Sequence, residues 1–223
     1  MGLEGGRKKF SMCLELNPDS PMIHIEYAIF LVLTRRNKEA VKEAEIAQKL
    51  DPFGVFVNTY AGVVYEYAGL IDKAIKELRT YLSINKDFFI THFHLGRAYA
   101  AIGMIKEAVS EYELAVDLSG GASYAIANLT CIYYFIGKKD HAETLFERLK
   151  KRSETDYVPA TSFYQIHRFR GEEALALNWL RKAWEEHDSF LVWFTAHPFL
   201  IPEGSKYMLF LKEMGMAFSV SSV

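Results

Sequence analysis

Histidines, cysteines and paired carboxylates are the residues from which this chain of 223 could build chemistry. His92 and His94 are two apart, so on a helix they point in different directions, whereas joint metal binding calls for i and i+4 spacing. His92 falls at a packing position. Glu172 and Glu173 open a helical pattern, where the helix dipole favours negative charge without any catalytic role. Gly120 and Gly121 before Ser123 permit two readings, an anion site at a helix start or an ordinary boundary, with the glycines ending one helix and Ser123 capping the next. A phosphate-cradling loop with Lys-Ser/Thr, a His-Glu-x-x-His pair and a Gly-x-Ser-x-Gly elbow are all missing from the sequence. The expectation is a chain with no catalytic residue, no metal ligand and no cofactor, hence not an enzyme.

What must be positioned is a surface, and its elements follow a 34-residue ruler. Pro18 and Pro52 are 34 apart, and further steps land on Lys86 and Gly120 in the same local phrase, LELNP, QKLDP, LSINK and VDLSG. A fixed period of this length signals a solenoid of repeats, each resting on its neighbours. Counted from residue 21, column 20 holds Ala40, Ala74, Ala108, Ala142 and Ala176. Column 8 holds Ala28, Gly62, Gly96, Thr130 and Tyr164; column 11 holds Leu31, Tyr65, Tyr99, Tyr133 and His167.

Within each period, apolar residues recur at steps of three and four, the pattern of two amphipathic helices. The break between them carries Arg36-Asn37, Gly69-Leu70, Gly103-Met104, Gly137-Lys138 or Gly171-Glu172. Small residues in columns 8 and 20 let the two helices approach closely, and the large residue in column 11 fills the space beside them. The expected fold is all-α, an α-α superhelix of helix-turn-helix repeats. Five repeats span 21–54, 55–88, 89–122, 123–156 and 157–188. Residues 1–20 read as the second helix of a truncated preceding repeat, with Phe10 and Cys13 in columns 24 and 27, as in a piece of a longer protein. Residues 189–223 read as a carboxy-terminal cap: an extended segment turned by Pro198 and Pro202, then a short helix from about Lys206 to Met214. The competing reading of its large apolar groups is an exposed dimerisation patch.

The column set of Leu/Tyr-Gly-x2-Tyr, then Ala-x3-large, then Ala, then Pro resembles the tetratricopeptide repeat (TPR) family. The third repeat carries it most fully, in Leu95, Gly96, Tyr99, Ala108, Tyr112 and Ala115. Column 4, where the family often has tryptophan, instead reads His24, Asn58, His92, Ile126 and Ala160. A second resemblance rests on Leu118 to Gly121, Tyr157 to Pro159, Trp179 to Trp184, Leu191 to Trp193 and Leu211 to Gly215. Those segments are similar to the carboxy-terminal repeat region of bacterial multidomain signalling proteins, which carry winged-helix, nucleotidyl cyclase or Ser/Thr kinase domains upstream. The family's Asp-Pro-Arg run is replaced here by Ala196 to Phe199.

The resemblance implies a concave groove lined by the first helix of each repeat at columns 2, 5, 6, 9, 12 and 13. The partner-binding residues expected there are Phe56, Tyr60, Tyr67, Phe93, His94, Arg97, Tyr124, Asn128, Tyr134, Gln165 and Arg168, with Met22, Ile25, Glu26 and Ile29 in the first repeat. This groove reads as aromatic and nearly uncharged through its middle, suited to a peptide or protein segment. The carboxylate clamp of chaperone-binding relatives is missing: its positions hold Ile25, Ile29, Tyr60, Ile90 and His94, or one repeat later Thr59, Val63, His94, Tyr124 and Asn128.

Two functional readings stay open. The first is a protein-interaction and regulatory scaffold whose partner is a protein or peptide segment, the parent protein's own amino-terminal effector domain among them. The second is a sensor that holds a small polar molecule in the aromatic groove. A net charge of −2 gives no electrostatic reason to bind nucleic acid or an acidic membrane. The apolar run Tyr27 to Leu33 is far short of the roughly 18 residues needed to span a bilayer. Cys13 and Cys131 fall several repeats apart, which argues against a mutual disulfide and for a reducing compartment, so a cytoplasmic location is expected. Self-association through an exposed solenoid end is a further expectation.

Overall fold

In the computed structural model, which describes residues 3–197, 201 and 204–215, helices are the only regular elements among the described residues. They run in chain order as α1 (Leu3–Leu16), α2 (Pro21–Leu33), α3 (Asn37–Leu50), α4 (Val55–Tyr67), α5 (Ile71–Leu82), α6 (Phe89–Ala101), α7 (Ile105–Leu118), α8 (Ser123–Phe135), α9 (Lys139–Ser153), α10 (Ala160–Phe169), α11 (Glu173–Glu185), α12 (Phe190–Ala196) and α13 (Lys206–Glu213). The chain divides into two compact units, one ending at Ala98 and the other running from Tyr99, so the division falls inside α6.

The turn between paired helices repeats in backbone detail. Arg35, Gly69, Gly103, Gly137 and Gly171 all take positive φ, between 61° and 80°. The next amide reaches back five residues each time, from Arg36 to Leu31, Leu70 to Tyr65, Met104 to Tyr99, Lys138 to Tyr133 and Glu172 to His167, at 2.8–3.0 Å. This left-handed closure satisfies the carbonyls a helix end leaves over, and glycine adopts it without a side-chain penalty. In the first repeat the turn residue is Arg35, one position before the expected Arg36-Asn37 pair. An arginine there bears the strain that glycine avoids in the other four.

Close packing follows the small columns. All five column-20 alanines are buried. A Cβ placed on Gly62 would lie 2.6 Å from the Leu78 side chain, so Leu78 of α5 packs directly on the α4 backbone and would have to shift for any larger residue. Column 4 is polar in the first three repeats, and there it fastens α2, α4 and α6 to the loop before each. His24 Nε2 meets the Pro18 carbonyl at 2.8 Å, Asn58 Nδ2 donates to the Pro52 carbonyl at 3.2 Å, and His92 Nε2 meets the Lys86 carbonyl at 2.7 Å. These three carbonyls are themselves one period apart.

In the carboxy-terminal unit, Leu191, Ile201, Tyr207, Met208 and Leu211 share one core with Ala160, Tyr164, Ala176, Leu180 and Ala183. The segment expected to be extended is helical over Phe190–Ala196. The reason is local: Asp188 Oδ1 accepts from Phe190 N at 2.9 Å at the helix start, while its Oδ2 accepts from Thr161 N at 2.9 Å and joins α12 to α10. Ser205 caps α13, accepting from Met208 N at 3.2 Å. Pro198 and Pro202, expected to turn the chain, lie outside the described residues.

Candidate functional site

The expected binding residues fall in two groups, one in each unit. In the amino-terminal unit, α4 supplies Phe56, Tyr60 and Tyr67 at helical spacing, and α6 supplies Phe93, His94 and Arg97. Phe56 and Tyr60 have ring centroids 4.3 Å apart, Tyr60 and His94 6.3 Å, and Phe93 and His94 meet edge-on at 5.1 Å. Tyr67, Phe93 and His94 are buried, Tyr60 is half-buried, and Phe56 is 36% exposed. Met22 and Glu26 are exposed on α2, so the accessible part of this face lies along α2 and the first turns of α4.

At the centre is a group that sequence reasoning passed over. Glu66, with a side chain 0% exposed, accepts from Arg97 Nε at 2.5 Å and from Arg97 Nη2 at 2.8 Å. Arg97 Nη1 donates to the Tyr67 hydroxyl at 3.3 Å, and Nη2 reaches His94 Nδ1 at 3.2 Å. The guanidinium also lies 4.9 Å from the Tyr67 ring centroid. A buried carboxylate is tolerable only with such a bidentate partner. Burial pushes the Tyr67 phenol up to about 12, with Glu66 adding to the rise and Arg97 opposing it. The middle of this face is therefore neutral by compensation. The expectation of an uncharged middle missed that Arg97 is engaged in holding Glu66. The available signal was Glu66 in column 12, one of the groove columns, with an arginine 31 residues on, at a facing position of the next first helix.

The carboxy-terminal unit arranges the same columns differently. Tyr124 of α8 meets Phe190 of α12 at 5.6 Å. Asn128 Nδ2 donates to the Tyr124 carbonyl at 2.8 Å. The Tyr134 hydroxyl accepts from Arg170 Nη1 at 3.4 Å, and Arg168 lies 5.7 Å from the Tyr207 ring centroid. Gln165 is buried, and both polar atoms of its amide are without a hydrogen-bond partner among the described residues. Burial pushes the neighbouring Cys131 thiol well above its ordinary range, which keeps it a neutral, unreactive group. Phe135 and Phe169, both in column 13 and not singled out from the sequence, are exposed.

Among the described residues, no three or more His, Cys, Asp or Glu converge in a way that could hold a metal ion, and no helix is long and apolar enough to cross a membrane.

Paired antiparallel helices on a 34-residue period, with small residues at the crossings, define a TPR-type solenoid fold, one consistent with a protein-interaction scaffold. The family model described as "Tetratricopeptide repeat" matches residues 91–120. A curated relative, the BBSome complex member BBS4 of Bos taurus, is 27% identical over 128 residues, which cover 57% of this chain and 24% of the relative. The chain thus spans about a quarter of that relative's length. Among solved structures, the type IV pilus biogenesis factor PilW has a TM-score of 0.64 at 13% identity, covering 94% of this chain and 90% of its own. YrrB, a TPR protein with an unusual peptide-binding site, has a TM-score of 0.52 at 19% identity, covering 93% and 98%. At these identities the structural likeness concerns the fold.

Proposed function

We propose that this chain is a non-catalytic interaction scaffold that takes up an apolar or aromatic protein segment on the face lined by its first helices. The observation that carries the reading is the Phe56–Tyr60 ring pair, accessible at its outer edge and backed by the Glu66–Arg97–Tyr67–His94 network. Rings held by bonded neighbours lose little freedom on binding, and tyrosine adds a hydroxyl to broad contact area. With Arg97 engaged by Glu66, the face selects against strongly charged segments. The second resemblance extends the proposal to a role within a larger bacterial signalling or transcription-regulatory protein, in the cytoplasm, with that protein's own effector domain among the partners.

Selection of a random peptide-display library against the protein tests this. Aromatic or aliphatic segments should be recovered, and Phe56→Ala with Tyr60→Ala should weaken them by at least about tenfold. Recovery of highly charged segments, or undiminished binding by the double variant, would contradict the assignment.

A second reading, a sensor for a small polar molecule, is favoured by one observation: the buried Gln165 amide, beside the Cys131 thiol, has no N or O hydrogen-bond partner among the described residues. A ligand carrying both a donor and an acceptor would satisfy it. A thermal-shift screen against polar metabolites should then give a rise that Gln165→Leu removes; a rise that survives in Gln165→Leu would reject this reading.

A further inference from the structure

On the opposite side of the first helices, each unit has a cavity built from the same repeat positions. In the amino-terminal unit it lies between α3, α4 and α5, with a volume of about 410 Å3; in the carboxy-terminal unit it lies between α7, α8 and α9, with about 440 Å3. Tyr65 corresponds to Tyr133, Glu45 to Glu113, Gln48 to Val116, Lys49 to Asp117 and Lys73 to His141, each pair exactly two periods apart in sequence.

In the first cavity the cation position is taken by the chain itself. Lys73 Nζ stands 4.0 Å from the Tyr65 ring centroid and donates to Glu45 Oε1 at 2.6 Å, while the Tyr65 hydroxyl donates to Gln48 Oε1 at 2.5 Å. An ammonium over an aromatic face beside a carboxylate is a favourable cation site. The charges lining this cavity cancel, with Glu45 and Glu77 set against Lys49 and Lys73.

The second keeps the ring and the carboxylate but lacks both lysines. Val116 cannot accept from the Tyr133 hydroxyl, which donates instead to Glu113 Oε1 at 2.5 Å. His141 meets the Tyr133 ring at 5.5 Å. Lys138 Nζ stays 5.5 Å from that ring centroid and does not line the cavity. Glu113, Asp117 and Asp140 line the cavity against Arg148 alone, which leaves two net negative charges among its carboxylates and guanidinium.

We propose that the cavity between α7, α8 and α9 binds the ammonium group of a lysine side chain from a partner protein, in the place that Lys73 takes in the equivalent cavity. The chain's own lysine is the template for the ligand. The alkyl stem would run over Val116, Leu129 and Leu145, and the ammonium would lie by the Tyr133 ring and the carboxylates of Glu113 and Asp117. This site belongs to other helices, in the other unit, than the Phe56–Tyr60 pair, so either proposal stands or falls without the other.

The test is a heteronuclear NMR titration of the whole protein with Nα-acetyl-lysine methylamide. Saturable shifts are expected at Glu113, Asp117, Tyr133 and His141. Acetylation of the probe's side-chain nitrogen should abolish them, and Glu113→Gln with Asp117→Asn should weaken binding by about tenfold or more. His141→Lys should abolish binding at an unchanged or raised melting temperature, since it supplies a tethered ammonium as Lys73 does. The proposal is overturned if the acetylated probe gives the same shifts, if His141→Lys titrates like the natural protein, or if no shifts develop. Tighter binding of butane-1,4-diamine than of the lysine probe would overturn the assignment to a protein side chain.

Discussion

The two units use the same columns to opposite ends. In the amino-terminal unit, Glu66 is held by Arg97, and Lys73 balances the carboxylate of its own cavity. In the carboxy-terminal unit, the Gln165 amide has no N or O hydrogen-bond partner among the described residues, and the equivalent cavity is left with excess negative charge. Repeat geometry dictates where a side chain lies, but the residue at that place decides whether it contributes to stability or remains available to a ligand. Column 19 shows this in one step: Lys73 supplies its cavity with an ammonium held by Glu45, and His141 supplies none.

Breaking the better-satisfied unit should have the largest effect. Arg97→Ala leaves a buried carboxylate uncompensated and should cost about 3–5 kcal/mol in chemical denaturation. Arg97→Glu should cost more, since it sets two carboxylates together. A loss for Arg97→Ala comparable to an exposed ion pair, under about 1 kcal/mol, would remove the contrast between the units.

Overpacking probes a feature the units share. Ala74→Leu and Ala142→Leu should each cost about 1–3 kcal/mol, because both alanines are fully buried at helix crossings. A large difference between the two would show that the crossings are not equivalent.

Smaller effects sharpen the comparison. Gln165→Leu should be neutral or stabilising in urea unfolding, since it deletes an unsatisfied amide from an apolar setting. A clear destabilisation would mean the amide has a partner in solution. The Tyr67 phenol is raised from 10.0 to about 12, so the unfolded chain loses this proton first. Its contribution to stability is complete below about pH 10 and is lost as pH rises toward 12. Alkaline unfolding of Tyr67→Phe should accordingly fall less steeply with pH over that interval than unfolding of the natural chain.

Much of the fold was legible because it rests on short-range rules repeated five times. The alanines of column 20 and the glycines from Gly69 to Gly171 each report one local requirement, close approach or positive φ. Arg35 escaped the pattern because an arginine fills a glycine's place there, and only backbone geometry reveals it. Likewise, α12 was expected to be extended, since the Asp188 bond that joins its start to α10 reaches Thr161, distant in sequence.

The candidate site was less legible. Column positions predict which residues lie on the first-helix face, but not which of them are consumed by one another. Tyr67, Phe93 and His94 are covered by their neighbours, and Glu66 is visible only once Arg97 is seen to hold it. On the proposed reading, recognition shifts to the accessible Phe56 and the half-buried Tyr60, beside Met22 and Glu26.

That shift is the central claim, and a paired measurement on one selected peptide tests it most directly. Affinity and melting temperature would be determined together for Phe56→Ala/Tyr60→Ala and for Arg97→Ala. The account predicts that the double variant loses at least about tenfold in affinity with little change in melting temperature, whereas Arg97→Ala loses stability foremost. Full affinity in the double variant would contradict it, whatever the melting temperatures.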